Sequence, residues 1–267
     1  MYLCIDIGGT KTLAALINDR RRVLHSVRFA TPSDQDDFFQ TLVSTIRANF
    51  SLEDLKVISV AIPGPVQDNQ ILWLGNLPWT NFDLGTKLEK LFNVPVFLEN
   101  DANLAGIAEA ENLPGLSVYL TFSTGIGGSV IKGGVIDPSI QHFEPGHDKY
   151  DFNGESVEWE DFASAKAILD HFGKMTEQIK KKSDWVEISC RIATGLRPII
   201  ANIHPDRIIF GGPLGLELKK YYQPLEKQLS VALPTGVTMP KLLVAKYKNE
   251  SVLHGCYLYA QRQLAAR

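Results

Sequence analysis

Residues 4–17, CIDIGGTKTLAALI, set an acid, two adjacent glycines and a Thr-Lys pair between two short apolar runs. That combination suits the gripping of a phosphate. The runs around Cys4–Ile7 and 12–17 are predicted to pair as strands, which puts Gly8 and Gly9 at the reversal. Glycine there permits positive φ and leaves no Cβ in the way, so backbone N–H groups can approach phosphate oxygens, with Thr10 adding a hydroxyl and Lys11 a charge. Asp6, at the strand end, faces the same space and is placed to hold a hydrated Mg²⁺ that bridges phosphates. An ordinary Gly-Gly hairpin with an incidental acid is the alternative, and a short motif alone does not decide between them. A second turn of the same kind, TFSTGIGGSVIKGG at 121–134, follows another apolar run. Ser123, Thr124 and Gly125 there offer hydroxyls and N–H groups. Neither turn is a P-loop, because no Gly-Lys-Ser/Thr follows, and neither has the G-x-G-x-x-G spacing of a dinucleotide site.

The elements that must carry these turns follow from periodicity. Strands are expected at 2–7, 12–18 and 23–29, then a helix over 36–49 whose Phe38, Phe39, Leu42, Val43 and Ile46 recur at helical spacing. A strand over 57–62 ends in Pro63-Gly64-Pro65, which must be loop. Helix 84–92, strand 96–98 and helix 102–110 complete a β-β-β-α-β-α-β-α order. The second half repeats it, with strands through 118–136, helices near 158–171 and 185–202, strand 207–210, a helix to about 230, strand 242–245 and a closing helix from 251. The boundary is expected at Asn112-Leu-Pro-Gly, dividing the chain into 1–110 and 111–250, with helix 251–267 returning to the first part.

Composition fits this layout. With 267 residues, 45% of them apolar, and a formal net charge of −3, the chain can bury a sizeable core and has no bulk charge that would draw it to nucleic acid or acidic lipid. Its cysteines, Cys4, Cys190 and Cys256, are scattered, as in a reducing cytoplasm. No apolar run reaches membrane-spanning length, and no leader peptide is expected ahead of the first strand.

Taken together, DIGGTK at 6–11, IPGPV at 62–66, NLPW at 76–79, ENDAN at 99–103, STGIGG at 123–128, EPGH at 144–147 and IIFGG at 208–212 resemble the ROK family of sugar kinases, repressors and related proteins, within the actin, hexokinase and Hsp70-like superfamily. The resemblance spans nearly the whole chain. It implies an α/β fold of two ribonuclease H-like domains around a central cleft. It also implies phosphoryl transfer from ATP with Mg²⁺ to a hexose hydroxyl, most like the 6-OH of glucose in a glucokinase. Polyphosphate as the donor is the nearest alternative, because polyphosphate-dependent glucokinases are similarly short. Fructose, mannose or an N-acetylated amino sugar are alternative acceptors, and a catalytically silent sugar sensor is a further one. Repressor relatives carry a helix-turn-helix ahead of the first glycine turn. Here that strand starts at Tyr2, so no DNA binding is expected. A homodimer is implied by the family alone.

Residue by residue, the resemblance makes Asp101 the base that takes the sugar hydroxyl's proton. Read only from its neighbours, Asp101 is equally a helix N-cap. Asn100 is implied as a sugar contact or a second cap. Gly64, the Asn76 loop, Glu144, His147 and Glu160 are the other sugar-facing positions, Glu160 reading equally as an exposed glutamate at a helix start, and Gly211 and Gly212 match the family's adenosine motif or serve a strand-to-helix turn. Trp73 and Trp79 read equally as packing residues. In the family, the His of EPGH also ligates a structural zinc with three cysteines. Asp151, Asn153 and Glu158 stand at those cysteine positions, so no zinc is expected.

Overall fold

The computed structural model describes residues 1–140 and 142–267. It divides into two compact units, Met1–Ala108 with Glu250–Arg267, and Glu109–Asn249.

In the first unit, β1 (Tyr2–Ile7), β2 (Lys11–Ile17) and β3 (Val23–Ala30) form an antiparallel meander. α1 (Gln35–Asn49) follows, capped by Asp34, whose carboxylate accepts from the N–H groups of Asp36 and Asp37. β4 (Val57–Ile62) runs parallel to β1. Three short strands, β5 (Val66–Gln67), β6 (Gln70–Trp73) and β7 (Thr80–Phe82), make a separate small sheet. α2 (Leu84–Phe92), β8 (Val96–Asn100) parallel to β4, and α3 (Asp101–Glu109) complete the unit, with sheet order β3-β2-β1-β4-β8. Alternate residues of β1 face two layers. Leu3, Ile5 and Ile7 pack with Phe38, Leu42 and Ile46 of α1 and with Trp79 and Phe82, while on the other side Cys256 and Tyr257 come from α9 (Ser251–Ala265), which packs on β1 and β4.

The second unit repeats the order with β9 (Leu116–Phe122), β10 (Ile126–Lys132), β11 (Val135–Ile136), β14 (Arg207–Gly211) and β15 (Lys241–Val244), arranged β11-β10-β9-β14-β15. β9 and β10 are antiparallel, whereas β14 is parallel to both β9 and β15. Each sheet is therefore a meander joined to two parallel strands, the ribonuclease H-like arrangement that the element order implies. Inserted before β14 are the hairpin β12 (Lys149–Phe152) and β13 (Glu155–Glu158), α4 (Trp159–Ala163), α5 (Ala165–Phe172) and α6 (Lys182–Ile203); α7 (Gly212–Gly215) and α8 (Leu218–Ala232) follow β14. The single helix expected near 158–171 is broken at Ser164, whose hydroxyl caps α5 by accepting from Ala167 N–H.

None of the helices of the described residues is long and apolar enough to cross a membrane. α9 is held close to α3 by the absence of a side chain at Gly255, where an added Cβ would collide with the backbone carbonyl of Leu104. Gly255→Ala is accordingly expected to destabilise the protein by about 1–3 kcal/mol, read as a lower urea midpoint with an unchanged slope. An unchanged midpoint would show that the two helices can separate without cost.

Candidate active site

The first unit gathers its predicted residues along one edge of its sheet. β1, β4 and β8 are parallel and in register, Asp6 opposite Ala61 and Ile62 opposite Asn100, so Asp6, the Pro63–Pro65 turn and the Asn100-Asp101 pair all sit at strand carboxyl ends. In open α/β sheets that edge is where ligands bind. The Gly8–Thr10 turn joins β1 to β2 at the same edge and is closed by Gly8 N–H donating to Lys11 O at 3.0 Å. Neither glycine there has positive φ, so of the two properties expected of glycine at this turn, the dihedral freedom is not used. Space demands glycine instead: a Cβ on Gly8 would lie 2.9 Å from Lys11 O, and one on Gly9 would lie 3.2 Å from Asn76 Cβ. The Asn76 loop thus rests against the glycine turn. It is anchored by buried Leu77 and by Trp79, which is 1% exposed, packs against Phe38 with ring centroids 4.5 Å apart and donates its indole N–H to Ser33 O at 2.8 Å. Trp79 is a packing residue, whereas Trp73 is exposed.

The head of α3 separates two roles that the sequence leaves merged. Asn100 is the cap: its Oδ1 accepts from Ala102 N–H at 2.9 Å and Asn103 N–H at 3.1 Å, while its Nδ2 reaches Gly64 O at 3.4 Å. Asp101 is the first helical residue, half-buried, with Oδ1 accepting from Ala102 N–H at 2.7 Å. Glu99 braces the junction by accepting from Asn100 N–H and Asn103 Nδ2. Gly64 is fixed by packing, since a Cβ would meet Trp73 O at 2.7 Å and Leu74 Cδ2 at 2.8 Å.

Burial pushes the Asp6 carboxyl up to about 6, with the Arg28 guanidinium pulling it back down. Among the described residues no protein group donates a hydrogen bond to it. A carboxylate with spare acceptor capacity beside a glycine turn fits a hydrated divalent cation. Lys11 and Arg28, with Thr10, Phe29 and Ala30, line a depression of about 300 Å³ next to the turn.

The second unit has a corresponding edge. The Ser123–Gly125 turn follows β9, and Gly211-Gly212 follows the neighbouring parallel β14, with Gly211 opposite Thr121. Thr124 is exposed. Gly212 has a φ of +71°, and a Cβ on it would lie 2.5 Å from Phe122 O, while one on Gly211 would strike the Tyr119 hydroxyl. Both glycines are therefore required by the strand-to-helix junction itself. Glu160 lies between two turns: its Oε2 accepts from Ile126 N–H at 3.0 Å and would crowd a Cβ on Gly125 or Gly146. Its place is fixed by Trp159, fully buried in a slot opened by Gly195 and donating its indole N–H to Arg191 O at 3.1 Å. Glu144 precedes the 3₁₀ turn Pro145–His147, and His147 ends it. Burial raises the Glu144 carboxyl, although it keeps solvent access, and His147 pulls it back. His147 is raised first by its hydrogen bond to Glu158, Nδ1 to Oε2 at 3.0 Å, with Glu160 and Glu144 adding to it.

His147, Glu158 and Glu160 offer ligand atoms within 4.8 Å of one another. They do not make the closed structural zinc site that the family resemblance raises. Asp151 accepts from Gly154 N–H at 3.2 Å, and Asn153 and Gly154, both at positive φ, form the two-residue turn of the β12–β13 hairpin. Two of the three positions at which the family has cysteines thus serve a turn, and none of the three offers a thiolate for tetrahedral coordination.

The family model of ROK proteins matches residues 2–263. The chain belongs to the ROK family. This ROK protein is 30% identical over 301 aligned positions to an N-acetylmannosamine kinase of Escherichia coli O1:K1 / APEC, covering 98% of this chain and 99% of that one. It is 26% identical over 287 positions to a fructokinase of Lactococcus lactis subsp. cremoris, covering 96% of each. Its fold matches a ROK family glucokinase from Streptomyces griseus, solved with glucose and AMPPNP, at a TM-score of 0.80 and 21% identity, over 98% of this chain and 99% of that one.

Some residues that shape the site carry no motif. Thr31, 23 residues from Gly8, donates its hydroxyl to Gly8 O at 2.8 Å, contacts the Thr12 hydroxyl at 2.9 Å and donates its N–H to Thr10 O at 3.0 Å, so it pins the glycine turn from β3's end. Arg28 is visible only once β3 is registered against β2, which sets Leu13 opposite Arg28 and Asp6. The hairpin carrying Glu158 did have a signal: aromatic and valine residues alternate around Asn153-Gly154.

Proposed function

We propose that this ROK protein is a sugar kinase that moves the terminal phosphoryl group of ATP to a hexose hydroxyl, with the 6-OH of glucose as the leading acceptor. The observation that carries the reading is the alignment of Asp6, the Gly8–Thr10 turn, Gly64 and Asp101 along one carboxyl edge of parallel strands. Asp101 takes the hydroxyl proton as the new O–P bond forms and the bond to the leaving ADP oxygen breaks. Asn100 holds α3's first turn and Gly64, so that Asp101 is carried on a rigid element. The Gly8–Thr10 and Ser123–Gly125 turns, with Lys11, meet phosphate oxygens through N–H groups and charge, and Gly211-Gly212 supports the nucleoside. Asn76, Glu144, His147 and Glu160 orient the sugar hydroxyls. A Mg²⁺ ion held through water by Asp6 would neutralise donor charge.

A turnover screen tests this directly. Glucose, fructose, mannose, N-acetylmannosamine and N-acetylglucosamine are offered with ATP or polyphosphate, in the presence of Mg²⁺. Similarity to a fructokinase and an N-acetylmannosamine kinase is why those acceptors belong in the panel. At least one hexose is expected to turn over with ATP. Sugar binding without turnover on either donor would refute the kinase reading and leave a sugar sensor.

A further inference from the structure

His147 sits on a short 3₁₀ turn with its side chain 56% exposed, so nothing in its own element fixes the ring. Glu158 stands on firmer ground. It ends β13, whose hairpin is closed by the Asn153-Gly154 turn. Phe152 of the hairpin stacks on Phe162 at 4.3 Å and 8°, with the Arg191 guanidinium over its ring at 5.3 Å. The next residue, Trp159, is fully buried and donates its backbone N–H to Asp148 O at 2.9 Å, one residue beyond His147. The backbone that carries Glu158 is thus anchored on both sides, and the exposed His147 ring takes its hydrogen bond from that anchored element.

We propose that Glu158 is a positioning residue: its carboxylate holds the Nδ1 proton of His147 and so presents Nε2 to a sugar hydroxyl, one hydrogen bond orienting the ring where the thiolate-and-zinc arrangement implied by the family is absent. This rests on the sugar-kinase reading for the identity of the ligand. Which imidazole nitrogen bears the proton is set by the bond the other makes, and a carboxylate on Nδ1 settles it. Glu160 and Glu144 are the other acids that act on His147, and Glu160 Oε2 is already engaged by Ile126 N–H. The pair is too exposed to matter for stability, so its loss acts on ring orientation rather than on folding.

The test combines kinetics with ¹⁵N spectra of histidine-labelled full-length protein, the His147 signal being assigned by its loss in His147→Gln. In Glu158→Ala the KM for hexose is expected to rise about tenfold, with kcat within about twofold, the KM for ATP and the unfolding midpoint unchanged, and the neutral His147 shifted from the Nδ1–H to the Nε2–H form. Glu158→Gln, whose amide oxygen still accepts the Nδ1 proton, is expected to recover most of the affinity. An unaltered hexose KM in Glu158→Ala, or an Nδ1–H ring that persists without Glu158, overturns the proposal. So does stoichiometric zinc whose removal by a chelator moves the His147 signal, because the metal would then fix the ring. Should the wild type turn over no hexose, the kinase reading falls, while the tautomer signal and hexose binding by calorimetry still decide the role of Glu158.

Discussion

Asp101→Asn is expected to lower kcat about 10³-fold, within the range that a positioned general base contributes, while the hexose KM changes by no more than a few-fold. Asparagine keeps the size and one acceptor oxygen but cannot receive the hydroxyl proton. The fold should tolerate it, because Asn100 Oδ1 still accepts from Ala102 and Asn103 N–H groups and an asparagine Oδ1 at position 101 can keep the bond from Ala102 N–H. The paired variant Asn100→Ala gives the contrast. It removes the cap and the link to Gly64 O, costs about 1 kcal/mol of stability, and lowers kcat less than Asp101→Asn does. Steady-state kinetics and urea unfolding on both variants separate the roles. If Asp101→Asn keeps more than a tenth of wild-type kcat, another group takes the proton; if it loses stability as Asn100→Ala does, Asp101 is a structural residue.

That separation shows where reading the sequence stops. The strands that carry Asp6 and the glycine turn were legible because short apolar runs and adjacent glycines are local signals, and the same holds for the helix opened by Asp101. What a local signal cannot do is assign one of two adjacent capping types to the cap. Asn100 and Asp101 both have the chemistry, and the choice is made by where the chain leaves β8, with Asn100 its last residue and Asp101 the first of α3. Of the two reasons that the sequence offers for Gly8 and Gly9, only the missing Cβ is used: the crowding by Lys11 O and Asn76 requires it, and the sign of φ does not matter. Thr31 and Arg28 gain their places from strand register, which pairs residues tens of positions apart. The hairpin at Asn153-Gly154 was written in the sequence and is obscured by the cysteine-bearing segment that the family has there; once it forms, Asp151 and Asn153 are committed to the turn and only Glu158 meets His147.

Asp6→Asn is expected to produce opposite effects on activity and stability. Activity should fall by 10²-fold or more, in line with about 3 kcal/mol of lost charge stabilisation around the donor phosphates, with saturation by Mg²⁺ lost as well. Stability should rise, and in a pH-dependent way. Burial lifts the Asp6 carboxyl from its ordinary value near 3.8 to about 6 in the folded protein. A group raised on folding contributes fully below its unfolded pKa and loses that contribution as pH climbs through the folded value. Wild type and variant should therefore be equally stable near pH 4, diverge between pH 4 and 6, and differ by about 2–3 kcal/mol above pH 7 in favour of asparagine. The figure is an upper range, since Asp6 retains partial contact with water and Arg28 offsets some of the cost. A ligand that binds the ionised carboxylate only in the folded state stabilises wild type alone, so saturating Mg²⁺ and nucleotide should close the gap at pH 8. Thermal unfolding of both proteins across pH 4–8, with and without Mg²⁺-ATP, measures all of this. A variant no more stable than wild type at pH 8 would mean that Asp6 is not held at a cost in the free enzyme. A gap that Mg²⁺-ATP leaves open would mean that the carboxylate's charge serves something other than the donor.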